Sequence, residues 1–382
     1  MKVLHVIPTI DLVDGGPVEG LMQLSICYDN AGIKLDVVCA DTSNQKAAII
    51  GNVYHFKSWL GRYGFSLSMF IWLFKNLKSY DLVVVDGLWG FGGASVYLCS
   101  IMRRKTFKYY VFTHGMLDPW FKRRYPNKYY KKLLYWFLVQ RKVLSEADSV
   151  LYTCEEEKQL ARNTFPFYSP KKEVVVGYGT SLPEGNFVSA RKELLARWGD
   201  FEGRSVVVFL GRLHEKKGCD LLLHGFSELV KHFPDYELLI IGDGDHSYIE
   251  NLKTLAHSLS IDERVTWAGL LTGDSKWAAM SIGDVMCLPS HQENFGVVVA
   301  EFVGLGVPVL VSDKVNIWRE IESYNAGLVF SDTKSGVAQS LIKFAGLHSD
   351  IKAEMSRSAT RLFSDKFKMS VVAENIMALY DE

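Results

Sequence analysis

Twelve short runs rich in valine, isoleucine and leucine recur along this chain, each followed by a polar or glycine-rich turn and then by a helical pattern. The first half carries KVLHVI, LDVVC, DLVVVD, YYVFT, SVLYT and EVVVG. The second half carries SVVVFLG, YELLIIG, RVTWAG, DVMCLP, VPVLVS and GLVF. Runs without polar alternation read as strands covered on both faces, as in parallel sheets flanked by helices. Each half is therefore expected to form a doubly wound, Rossmann-like α/β domain. The break falls near Gly177 to Gly203, where GYGTSLPEG supplies turn residues. This divides the chain into domains at 1–180 and 181–365, with a helix at 366–382 crossing back to the first. Ligands of such sheets bind beyond the carboxyl ends of the strands. Two facing domains would thus make a cleft walled by strand-end loops.

Composition narrows the function. Lys+Arg and Asp+Glu both number 43, so the formal net charge is zero. A dedicated nucleic-acid binder, normally basic overall, is disfavoured. Apolar residues make up 48%, ample for two cores. The six cysteines (Cys27, Cys39, Cys99, Cys154, Cys219, Cys287) are scattered without a C-x-x-C pair, which reads as free thiols in a reducing compartment. The N-terminal MKVLHVIPTI is too brief for a signal peptide, and no run reaches the ~20 apolar residues of a spanning helix. A cytoplasmic protein, soluble or peripheral on a membrane, is expected.

Three motifs at strand ends carry chemistry. In VVVFLGRLHEKKG, Arg212 and Lys217 follow a strand and a glycine. A planar fork and a mobile point charge make a diphosphate clamp; a solvated basic loop would contain the same residues. GDGDHS, from Gly242 to Ser247, lacks the third glycine of a dinucleotide fingerprint. Asp243 and Asp245 could hold a metal, but a strand-ending turn explains them better. In ENFGVVVAE, Glu293 and Glu301 bracket an apolar run that looks helical from Gly296. The N–H groups of such a helix start form an anion site. The two carboxylates suit hydroxyls rather than phosphate, with Glu301 about two turns along the helix. Hydroxyls on both sides of a diphosphate describe a nucleotide sugar.

Taken together, Glu293-x7-Glu301, the Gly211-Arg212…Lys217-Gly218 loop, Pro289-Ser290 and Gly306-Val307-Pro308-Val309 resemble the retaining glycosyltransferases of the GT-B fold numbered family four. The resemblance covers the second half in order and spacing. It implies that Arg212 and Lys217 hold the diphosphate with amides near Asn294, Phe295, Gly296 and Val297. It implies that Glu301 takes the ribose, Glu293 the donor sugar, and the segment around Gly269 and Leu270 the base. In the looser first half, Asp14-Gly15-Gly16-Pro17 resembles the phosphate-cradling loop and His114 the histidine that reaches the donor sugar. No N-G-V-D follows EVVVG, a departure that touches the interdomain hinge. The implied reaction is retaining hexosyl transfer to an acceptor hydroxyl, without metal or cofactor, UDP-sugar being expected ahead of GDP-sugar. The alternatives are a metal-dependent transferase using Asp243 and Asp245, and a non-catalytic nucleotide-sugar-binding partner in a polysaccharide assembly complex.

One segment concentrates charge. Between Pro119 and Ser145 lie eight Lys/Arg, no acid and eight aromatics. Helical spacing from Lys128 puts Lys128, Lys131, Lys132 and Lys142 on one face, with Tyr130, Leu133, Leu134 and Phe137 opposite. Such a helix suits an anionic membrane surface, or it packs on its domain with its charges in water. The acceptor implied alongside a surface site is a lipid-linked saccharide.

Overall fold

A computed structural model describes the chain except residues 13, 14, 42–46, 184, 186, 200, 202, 381 and 382. The chain divides into two compact units, Met1–Thr180 with Lys366–Glu382, and Ser181–Asp365.

The first unit holds a seven-stranded parallel sheet. Its strands are β1 (Lys2–Val6), β2 (Lys34–Cys39), β3 (Asn52–His55), β4 (Leu82–Asp86), β5 (Tyr109–Phe112), β6 (Ser149–Tyr152) and β7 (Glu173–Val175). They lie in the order β3-β2-β1-β4-β5-β6-β7. Every residue of β4, β5 and β6 is buried, as expected of runs covered by helices on both faces. The sheet contains one strand more than the hydrophobic runs predict. β3 is a four-residue edge strand, only partly buried, and NVYH lacks the apolar density of its neighbours.

The second unit repeats the plan with β8 (Ser205–Leu210), β9 (Tyr236–Ile241), β10 (Val265–Gly269), β11 (Val285–Leu288), β12 (Val309–Ser312) and β13 (Gly327–Phe330). All pair in parallel, in the order β10-β9-β8-β11-β12-β13. Both sheets therefore reverse direction once, between β1 and β4 and between β8 and β11. That reversal opens the crevice in which doubly wound folds bind ligands.

The C-terminal segment closes on the first unit. Met369 N–H donates to the Thr180 carbonyl (3.1 Å), Asn375 Nδ2 to the Val176 carbonyl (3.0 Å) and Tyr110 Oη to the Leu379 carbonyl (2.9 Å).

The basic segment folds as helices at Trp120–Arg124, Pro126–Tyr135 and Arg141–Glu146, the last two joined by a wider π turn at Trp136–Gln140. Its faces differ from the simple helical wheel. Trp136, Gln140, Val143 and Leu144 are buried, and Leu133 packs inward beside them. Trp136 stacks on Phe165 and donates its indole N–H to the Pro166 carbonyl (2.9 Å). Lys132 is not on the solvated face: it lies over the Trp89 ring at 4.7 Å, and burial followed by the nearby Lys128 charge lowers its pKa. Tyr130 (68% exposed), Leu134 (66%), Phe137 (44%) and Leu138 (68%) face outward, among the exposed Lys128, Lys131 and Lys142.

Candidate functional site

In the second unit the loops after β8 and β11 meet across the sheet's reversal. His291 N–H donates to the Lys216 carbonyl (2.8 Å). Gly218 sits at φ 68°, and a Cβ there would lie 2.1 Å from the Pro289 carbonyl oxygen. Only glycine lets these loops touch. The result brings together residues 76 positions apart: Lys217 Nζ forms an ion pair with Glu293 Oε2, both side chains 19% exposed. Arg212 is exposed on the same loop and makes no side-chain hydrogen bond or ion pair among the described residues. His214, beside them, caps the 3₁₀ turn Glu215–Lys217 by accepting from Lys216 N–H (3.1 Å).

The apolar run after Glu293 becomes the helix Val297–Gly304, with Gly296 at φ 74° as its N-cap. No side chain caps it, and helix geometry leaves its first N–H groups without intrahelical acceptors. Their partial positive charge adds to that of Lys217. Glu293 is held just ahead by its own backbone, its N–H donating to the Lys314 carbonyl (2.9 Å) and its carbonyl accepting from Asn316 N–H (3.0 Å). Glu301 lies four residues after Val297, so it stands about one turn along the helix rather than two. It is 4% exposed, and Lys276 pairs with its Oε1 at 2.6 Å. Lys276, from the helix Gly273–Met280, neutralises a carboxylate that would otherwise repel an anion at the helix start. Gly269 ends the edge strand β10 and Leu270 follows it in the open, 70% exposed, and the Gly269 carbonyl accepts from Gly242 N–H (2.9 Å).

GDGDHS is the strand-ending turn. Asp243 Oδ1 accepts from Gly244 N–H (2.8 Å), and Asp245 caps the helix His246–Ser258 by accepting from Tyr248 N–H (3.1 Å). Gly244 pairs as an isolated bridge with Leu213, backing the loop that carries Arg212.

In the first unit a cavity of about 650 Å³ opens at the reversal between β1 and β4, lined by Thr9, Asp41, Asp86, His114 and Met116 among others. His114 occupies a left-handed conformation (φ 47°), strained for a residue with a Cβ. Three groups hold it there. Its ring stacks on Phe112 at 4.1 Å, its Nε2 lies 3.1 Å from Asp86 Oδ1, and the next residue's N–H is bound by Glu157 Oε1 at 2.5 Å. Asp86 in turn accepts at Oδ2 from His5 Nδ1 (2.7 Å). Burial alone would raise the Asp86 pKa, but the charges and hydrogen bonds of His5 and His114 outweigh it and hold the pKa at about 2. A carboxylate can only accept, so Nε2 of His114 carries a proton toward Asp86. Gly15, at φ 76°, precedes the helix Gly16–Asn30, and the Gly16 carbonyl accepts from Tyr178 Oη (2.5 Å). Asp14 lies outside the described residues.

Sequence reasoning missed Lys276, Asp86, His5 and Glu157. Each is fixed by a partner far off in the chain: Lys276 by Glu301, Asp86 by His5, and Glu157 by Thr113 and Gly115. A carboxylate closing a buried strand, as in DLVVVD, was the usable signal for Asp86.

Two family models match this chain. "Glycosyl transferase 4-like domain" covers residues 15–179, and "Glycosyl transferases group 1" covers 190–360. The chain belongs to the GT-B glycosyltransferases of family four. Among the relatives of this chain is a phosphatidyl-myo-inositol mannosyltransferase of Mycobacterium leprae, 34% identical over 46% of each chain. Another is an alpha-D-kanosaminyltransferase of Streptomyces kanamyceticus, 24% identical over 50% of this chain and 49% of the relative. The chain thus spans about half the length of the curated relatives it matches. Its solved structural neighbours extend over the whole chain. Anabaena HepE in complex with UDP has a TM-score of 0.75 at 16% identity, covering 100% of both chains. Sucrose-phosphate synthase from Thermosynechococcus elongatus has 0.74 at 18%, covering 100% of this chain and 98% of that one. At these identities they share its GT-B fold.

Proposed function

We propose that this chain moves a hexose, with retention of configuration and without a metal, from a nucleotide diphosphate sugar to a hydroxyl of a lipid-linked saccharide in surface polysaccharide or glycolipid synthesis. The observation that carries the reading is the meeting of Arg212, Lys217, Glu293 and the Gly296 helix start at the reversal of the second sheet. As the anomeric bond breaks, the diphosphate gains negative charge. Arg212, Lys217 and the N–H groups near Phe295 to Val297 stabilise that charge without reorganising, in place of a divalent ion. When Lys217 turns to the diphosphate, Glu293 is released to accept from donor-sugar hydroxyls, and Glu301 accepts from the ribose. The acceptor attacks from the leaving-group side, and a phosphate oxygen takes its proton. His114, lining the cavity of the first unit, faces a sugar there. UDP is taken ahead of GDP because HepE, of the same fold, is described with UDP and with UDP-glucose.

A panel of UDP- and GDP-sugars, read as free nucleoside diphosphate, tests this reading. Turnover of one donor by chelator-treated protein is expected. Binding without turnover of any donor, even with saccharide acceptors added, would indicate a non-catalytic nucleotide-sugar-binding partner. Turnover only on restoring a divalent ion would overturn the metal-free step.

The acceptor reading rests on the outward Tyr130, Leu134, Phe137 and Leu138, with Phe167 (71% exposed) beside Phe137. Apolar side chains flanked by lysines fit an anionic bilayer on the inner face of a cytoplasmic membrane. No helix among the described residues is long and apolar enough to cross a membrane. The protein is expected to float with vesicles of anionic lipid at low salt, and Leu134→Glu with Leu138→Glu to release it. Retention of that double variant, or failure of the parent to bind, sinks the membrane assignment.

A further inference from the structure

Away from the loops of the second unit, a second set of polar groups converges at the carboxyl ends of β2 and β3. The register pairs Cys39 directly with His55, the last residues of their strands, so their side chains leave the sheet on one face. Asp41 follows two residues after Cys39. Cys39 Sγ lies 3.2 Å from His55 Nδ1 and 3.8 Å from Asp41 Oδ1, and His55 Nδ1 lies 3.3 Å from the same oxygen. Tetrahedral zinc, with bonds of about 2.3 Å to sulfur and about 2.0–2.1 Å to nitrogen or oxygen, separates its ligand atoms by roughly 3.3–3.6 Å. The three observed edges bracket that range.

The support behind the ligands fits as well. Asp41 Oδ2 accepts from Thr9 Oγ1 (2.6 Å) and Ile10 N–H (3.0 Å), which turns Oδ1 toward Cys39 and His55. Outer hydrogen bonds of this kind orient metal-binding carboxylates. Cys39 is fully buried, Asp41 is 10% exposed and His55 28%, so the cluster is reachable from one side. Asp41 and Thr9 also line the cavity that contains Asp86 and His114. Thiolate, imidazole and carboxylate together select a zinc-class ion over magnesium or calcium. Among the described residues this is the one such cluster.

We propose that Cys39, Asp41 and His55 bind one transition-metal ion of the zinc class, leaving a fourth position open at the wall of the first unit's cavity. The ion ties the edge strand β3 to β2. The site is independent of the diphosphate loops, so it stands or falls apart from the transfer reading.

Cobalt(II) titration of the untagged, chelator-treated full chain tests it. One equivalent is expected to bind with a thiolate-to-cobalt charge-transfer band in the near ultraviolet, and zinc is expected to displace it. Cys39→Ser should abolish the band, His55→Ala should weaken binding, and Thr9→Val should weaken it about tenfold. A parent protein that binds no cobalt, or a Cys39→Ser variant with the band intact, overturns the assignment. Equal thermal melts of parent and variants without metal would separate lost ligation from lost folding.

Discussion

Lys217→Ala is expected to lower kcat/KM for the sugar donor by about 10²–10³-fold, the usual effect of removing one preorganised group from developing charge. Two features of the site push the effect toward the upper value. The Lys217 ammonium is only 19% exposed, so water screens it little. It also balances Glu293, whose carboxylate would remain beside the leaving diphosphate and repel it. Removing both charges, in Lys217→Ala with Glu293→Ala, should therefore cost less in nucleotide binding than the lysine change alone. Arg212, exposed and more mobile, should give the smaller loss when replaced. Kinetics by nucleoside diphosphate release, with nucleotide affinity by calorimetry, separates the two effects. An unchanged kcat/KM in Lys217→Ala would remove the diphosphate clamp from the mechanism.

Glu157→Gln should destabilise the protein and slow it together, through a residue distant in sequence from any donor loop. The Glu157 carboxylate is 2% exposed and accepts four hydrogen bonds. Thr113 Oγ1 and Gly115 N–H reach Oε1, both at 2.5 Å, and Thr153 N–H and Oγ1 reach Oε2 at 2.7 and 2.6 Å. An amide has one accepting oxygen, so its NH₂ must face a main-chain N–H whichever way it turns. Stranding a buried donor costs about 1–3 kcal/mol, and each kcal/mol lowers Tm by about 2–4 °C in a unit of this size. The same carboxylate restrains the backbone beside His114, whose left-handed conformation costs about 1–3 kcal/mol to hold. A fall in kcat with unchanged nucleotide affinity is thus the expected kinetic signature. A variant with parental Tm and kcat would refute the positioning role.

Sequence legibility followed the range of the interactions involved. All twelve dense apolar runs are strands, because burial on both faces writes itself into consecutive residues. NVYH escaped notice because an edge strand needs apolar residues on one side only. The start of the helix at Gly296 was legible from a glycine followed by an apolar run. Ion pairs were not. Lys217 with Glu293, Lys276 with Glu301 and Asp86 with His5 join residues 76, 25 and 81 positions apart, and no local periodicity links them. The basic segment was misjudged in its faces because tertiary packing, which a helical wheel does not see, turns Lys132 over the Trp89 ring and Leu133 onto the core.

Because residues 366–380 complete the first unit, the second is in effect an insertion within it. During synthesis, residues 181–365 can reach their final fold while the first sheet still waits for the segment that caps Thr180, Val176 and Tyr110. The first unit is complete only when its C-terminal segment has been made, after all of the second unit's residues. A nascent chain arrested near 365 would present the uncovered side of the helix Gly16–Asn30 to chaperones, which makes the final helix the step that commits the molecule to its mature state.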